Sequence, residues 1–128
     1  GFEGEFISFE PSWQFPKPQR TGGPTVLLGG GAGPKLFSPI VESPDGWIPI
    51  GGAGLTAAIP TLHQQWSEAD RAVDDLHVVP FGSLPSPEKL DHFARIGVTE
   101  VVFRLPSADR DTVMPILEQQ AGLLASAP

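Results

Sequence analysis

The chain contains no cysteine. It can therefore build neither a disulfide framework nor a thiolate metal site. Basic residues are also scarce: 8 Lys and Arg stand against 15 Asp and Glu, a formal net charge of −7, and they form no run. That removes the electrostatic footprint of a nucleic-acid or anionic-membrane binder. One phosphate could still be held by backbone N–H groups. No apolar run approaches the ~20 residues of a membrane-spanning helix. No signal peptide is visible, which makes the cytoplasm the expected location, although Gly1 stands where an initiator methionine would. HExxH, GxSxG, paired metal-ligand spacings and nucleophile constellations are all missing.

What is present points to one domain or part of one. A chain of 128 residues with 40% hydrophobic content normally buries roughly 68% of its unfolded surface, enough for a core. Glycine and proline, 15 of each, imply many short elements joined by turns.

The most informative stretch is Thr25-Val-Leu-Leu-Gly-Gly-Gly-Ala-Gly-Pro34. Thr25–Leu28 is too short for a capped helix but suits a buried strand. Gly29–Gly31 and Gly33 permit positive φ and close approach, and Pro34 suits the first position of a helix. Bare N–H groups at such a helix start form an anion cradle. The alternative is a plain strand-to-helix turn, since the motif is neither GxGxxG nor a Walker loop.

Residues 1–24 read as an approach segment with an edge strand over 5–9. Pro11, Pro16, Pro18 and Pro24 then force an extended surface crossing, pinned to the body by Trp13 and Phe15. The alternative is an exposed aromatic binding strip. After the glycine loop, the spacing of Leu36, Phe37, Ile40 and Val41 predicts an amphipathic helix over 34–42, short or kinked at Pro39. Ser43–Gly46 is a turn, and Trp47–Ile50 a second strand ending in Gly51, Gly52 and Gly54. Thr56 is the expected cap of a helix to about Arg71, with Ile59, Leu62 and Trp66 inward and Pro60 awkward near its start. Asp74-Asp75 is a polar link, and Leu76–Phe81 a third strand.

Ser86 should cap a helix over 87–96 with Pro87 first and Leu90, Phe93, Ala94 and Ile96 inward. Gly97 should end it in a left-handed conformation. Thr99–Leu105 is the fourth strand. Ser107–Asp111 opens the last helix, with Val113, Ile116, Leu117, Gln120 and Leu124 at helical spacing and a disturbance at Pro115. Four strand–helix units with near-continuous apolar strands mean an α/β fold with a parallel sheet. In such folds chemistry sits at the carboxyl ends of the strands: here Gly29–Gly33, Ile50–Gly54, Phe81–Ser83 and Leu105–Arg110.

The three histidines are far apart in sequence. His63 is expected in solvent, His92 at the surface or half-buried, and His77 on either face of a strand. Asp109-Arg110-Asp111 suits a helix start, and Arg104 or Arg110 can still reach an anion at the strand ends.

Taken together, Gly4-Glu-Phe6, Pro16-Lys-Pro18, Val26–Gly30, Asp45-Gly-Trp-Ile-Pro49, Gly97-Val98 and Val101–Ser107 give a pattern that resembles the luciferase-like monooxygenase family. The nearest resemblance is to its oxidoreductases that use the deazaflavin coenzyme F420. The resemblance runs along essentially the whole chain. It implies the carboxyl half, strands five to eight, of a (β/α)₈ TIM barrel. It also implies a cofactor phosphate held by backbone groups of the first two loops, at Ala32, Gly33, Ile50, Gly51 and Gly52; Gly31, in the same glycine run, and Arg110, at the exit of the fourth strand, complete the expected cofactor-binding set. Some relatives carry a lysine where this chain has Ala53, so the grip would be weaker. FMN is the alternative cofactor. The family's catalytic groups come from the amino half, so no catalytic residue is expected in these 128 residues and none of the residues is assigned to a metal. An incomplete barrel would expose strand edges and an apolar inner face. The expected partner is a second copy or an amino-terminal half-barrel, besides the cofactor and a small-molecule substrate. The competing reading is a non-catalytic half-barrel that serves as an assembly or anion-binding module.

Overall fold

The structure, a computed structural model, describes residues 1–13 and 15–124. Its centre is a set of parallel strands alternating with helices, except that the strand at His77–Val78 runs on into that at Phe81–Ser83. The first is β3, Leu27–Gly29, followed by α1, Pro34–Glu42. Next come β4, Gly46–Ile48, and α2, Leu55–Glu68. A 3₁₀ turn at Val73–Asp75 leads to β5, His77–Val78, and β6, Phe81–Ser83, before α3, Pro87–Arg95. The last unit is β7, Val102–Phe103, with α4, Arg110–Leu124. Ahead of them lie β1, Phe2–Glu3, and β2, Ser8–Phe9. The expected α/β class with parallel strands is what the structure shows.

β3, β4 and β5 form a three-stranded parallel sheet in chain order, and β6 and β7 a parallel pair. An Ile50–Phe81 bridge joins the two sheets. β5 and β6 follow one track, which Pro80 interrupts because it has no N–H to give the ladder. The expected strand over 99–105 shrinks to two residues for a similar reason. Thr99 spends its groups on Val78: the Val78 N–H donates to Thr99 Oγ1 at 3.0 Å, and the Thr99 N–H to the Val78 carbonyl at 3.0 Å. Gly82, at φ 76°, is a bulge that sets two β6 steps against one on β7.

Leu28, Trp47 and Val78 stand side by side in register and face the helices. There they join Phe37, Ile40, Ile59, Leu62 and Trp66 in one buried cluster. Phe37 meets Trp47 edge-on, with ring centroids 5.2 Å apart, a preferred aromatic geometry. Arg71 closes the base of this layer. Its Nη1 donates to the carbonyls of Ile40 (3.2 Å), Val41 (3.4 Å) and Pro44 (2.8 Å), and its guanidinium lies 3.5 Å over the Trp66 ring. The first two carbonyls are in the last turn of α1, where no helical N–H remains to meet them.

Helix ends follow the sequence in part. Ser86 Oγ accepts the Lys89 N–H at 3.2 Å, and Gly97 takes φ 90°. The cap expected at Thr56 is instead Gly54, at φ 78°, and helix α2 starts at Leu55, two residues earlier than a Thr56 cap implies. Pro39, Pro60 and Pro115 lie inside helices without ending them. All three are exposed, so water can meet the carbonyl each leaves unpaired.

The first 24 residues differ most from expectation. The strand expected over 5–9 is a hairpin, with Phe2 opposite Phe9 and Glu3 opposite Ser8; Gly4–Ile7 is its turn, closed by the Gly4 N–H on the Ile7 carbonyl at 2.9 Å. Trp13 and Phe15 do not pin the segment to the body, being 82% and 75% exposed. Ala94 and Leu117, expected inward, are exposed, and His63, expected in solvent, is half-buried because side-chain-free Gly97 leaves room for its ring. The side chain of Leu124 lies outside the described residues. No helix among the described residues is long and apolar enough to cross a membrane.

Candidate functional site

The carboxyl ends of β3 and β4 carry the two glycine loops. After β3 the chain turns at Gly30, φ 151°, and Gly33, φ 154°, values that disfavour any side chain. Helix α1 then starts with Pro34. The Leu36 and Phe37 N–H groups close back on the Gly33 carbonyl at 3.0 and 2.9 Å. The N–H groups of Gly31, Ala32, Gly33 and Lys35 donate to no acceptor among the described residues. Trp47 fixes the loop from below, its Nε1–H donating to the Gly30 carbonyl at 3.0 Å. The result is a concavity of about 520 Å³ lined by Gly30 through Leu36, in which Lys35 is the one charged lining residue among those described. Unpaired N–H groups, the positive end of a helix and an ammonium group all favour an anion.

A second hollow, of about 290 Å³, brings Ala32 and Gly33 together with Gly54 and Ala57 of the next unit. Gly54 receives the Ala57 and Ala58 N–H groups on its carbonyl at 3.2 and 3.1 Å, and no side chain caps α2.

The other positions named from sequence fall differently. Ile50 is 86% exposed. The Gly51 N–H is occupied, donating to the Phe81 carbonyl at 2.7 Å. Gly52 has a packing role, because a Cβ there would come within 2.6 Å of the Phe93 ring. These three occupy the same carboxyl-end rim but line neither hollow. Arg110 is exposed at the start of α4 and lines neither hollow. Sequence reading passed over Lys35 and Trp47. For Lys35 the signal was present: a cation in the first turn of a helix directly after a glycine loop. For Trp47 it was not, because a strand tryptophan reads as core until its N–H is seen to have a carbonyl to meet.

No histidine among the described residues lines either hollow. His92 Nε2 lies 3.1 Å from Thr56 Oγ1. His77 sits at the opposite end of the strands, in a polar cavity of about 330 Å³ shared with Arg71, Asp45, Asp74 and Asp75, its Nδ1 3.5 Å from Glu100. Among the described residues no group of three or more His, Asp or Glu is placed to hold a metal.

No protein-family model matches the chain, and no solved structure does. The chain is 36% identical over 126 residues to uncharacterized proteins of Mycobacterium bovis and of two strains of Mycobacterium tuberculosis. The match takes in 97% of this chain and 44% of each relative. The chain thus spans a little under half the length of the curated relatives it matches.

Proposed function

We propose that the chain supplies the cofactor-phosphate wall of a luciferase-like oxidoreductase that uses coenzyme F420, as the carboxyl half of a (β/α)₈ barrel. Three observations support the half-barrel. Strands β3 to β7 are parallel and follow chain order, helices follow β3, β4, β6 and β7, and the buried core joins these helices to the sheet. The observation that carries the cofactor reading is the set of N–H groups at Gly31, Ala32, Gly33 and Lys35, which follow a strand's carboxyl end and meet no acceptor among the described residues. An anionic phosphate tail gives each of them a partner. Deazaflavin, when bound, supplies hydride transfer; the residues of this chain hold the tail and orient it, and Lys35 balances its charge. FMN would present a phosphate to the same groups.

The occupied Gly51 N–H and the packed Gly52 favour a second reading, in which the loops serve a non-catalytic anion-binding module. Titration of the chain with coenzyme F420, followed by deazaflavin fluorescence, separates the two, with FMN and inorganic phosphate as competitors. The first reading expects a saturable change that phosphate competes away only weakly. Gly31→Asp puts a carboxylate into open space and should weaken binding at least tenfold, about 1.4 kcal/mol. No response to coenzyme F420 or FMN, with phosphate still bound, would leave the module.

A further inference from the structure

We propose that residues 1–17 are an intermolecular arm, and that its apolar side chains cover the open sheet face of a second copy of this chain, reciprocally. Every described residue from 1 to 22 is exposed, yet the segment is rich in large apolar groups. Phe2 is 57% exposed, Phe6 89%, Ile7 66%, Phe9 54%, Trp13 82% and Phe15 75%. Clustered exposure of this kind marks an interaction surface.

The described residues of the arm make contacts among themselves. Phe2 and Phe9 stack across the hairpin at 6.2 Å, and Lys17 Nζ lies 4.8 Å from the Trp13 ring centroid and 5.2 Å from that of Phe15. The proline-rich stretch after the hairpin carries Pro11, Pro16 and Pro18, each with its φ fixed by the ring, and its described residues are exposed.

The receiving surface is on the same chain. All-parallel sheets are normally covered on both faces, and here the helices cover one. On the other, Ile50, Phe81 and Val102 stand side by side through the bridge and the β6–β7 register, 86%, 48% and 38% exposed. Charge agrees with the pairing. Glu3, Glu5 and Glu10 make the hairpin acidic, while Arg104 and Arg110 follow Val102 and have no ion-pair partner among the described residues. A chain that carries both the inserting and the receiving surface satisfies both when two copies exchange arms about a two-fold axis. This inference rests on exposed surface alone and not on the cofactor reading.

Light scattering on the intact chain should give twice 13.6 kDa. Removing residues 1–19 should give a monomer, as should Phe81→Glu, each retaining the far-ultraviolet circular dichroism of the body. Mixing the two variants is the decisive step. The Phe81→Glu chain keeps its arm and the shortened chain keeps its face, so a one-to-one complex should return. A monomeric intact chain overturns the proposal and leaves the face to a flanking body such as the longer relatives carry outside the matched region. A dimer unaffected by both changes, or variants that fail to complement, overturns it equally.

Discussion

Gly46 is buried and paired with His77, and a Cβ there would overlap the His77 carbonyl. Gly46→Ala should therefore force the β4 and β5 tracks apart and cost roughly 3 kcal/mol, read as a lower urea midpoint. Arg71 serves several partners with one side chain, three carbonyls and a ring face. Arg71→Ala leaves part-buried carbonyls without a donor, and the expected loss is about 3 kcal/mol. Arg71→Lys should recover less than half, because an ammonium cannot stack and reach all three carbonyls together. If lysine restores full stability, the planar fork is not what matters there. At residue scale the sequence was legible at Ser86, Pro87 and Gly97, where a local cap or backbone conformation decides, but not at Thr56, where Gly54 takes the cap. It was opaque where a distant partner gives a side chain its role. Nothing local in the sequence says that Arg71 ends on the carbonyls of a helix thirty residues back.

Helices α3 and α4 both begin on polar caps that respond to acid. The Asp109 carboxyl is held below the ordinary carboxylate range by the Thr112 hydroxyl and then by the Thr112 N–H, which donates to Oδ1 at 2.9 Å. Glu88 is lowered by its own backbone N–H and then by Ser86. A lowered value in the folded state means that the carboxylate's support is complete above its unfolded value and is lost as pH falls through the folded one. Amide exchange at Thr112 and Val113 should then quicken as pH drops from about 5 to about 2, after correction for intrinsic rates. Asp109→Asn should flatten that dependence; an unchanged profile would show that the carboxylate does not hold the cap. Strands were harder to read than helices. The apolar runs at 76–81 and 99–105 predict long strands, but Pro80 removes a donor and Thr99 substitutes a hydroxyl for ladder bonding, so only short pieces pair. The prolines inside the helices misled in the other direction, since their exposed rings cost less than a buried break would.

For the whole molecule, the order of strands and helices was readable because the glycine and proline punctuation marks each change of element. The first segment was half-readable: Trp13 and Phe15 read first as pins to the body, with an exposed aromatic strip as the alternative, and the structure leaves both exposed. The same holds for the site: the glycines after β3 announced a loop with bare N–H groups, whereas the glycines after β4 turn out to answer Phe81 and Phe93.

The account depends most on the claim that an anionic cofactor tail meets the loop after β3. Amide chemical-shift mapping on the isotopically labelled chain during addition of coenzyme F420 tests it directly. The account predicts shifts led by Gly31, Ala32, Gly33 and Lys35, with the Trp47 indole N–H following through its bond to the Gly30 carbonyl. Shifts confined to the Arg71 and His77 end of the strands, or no shifts at all, would contradict it.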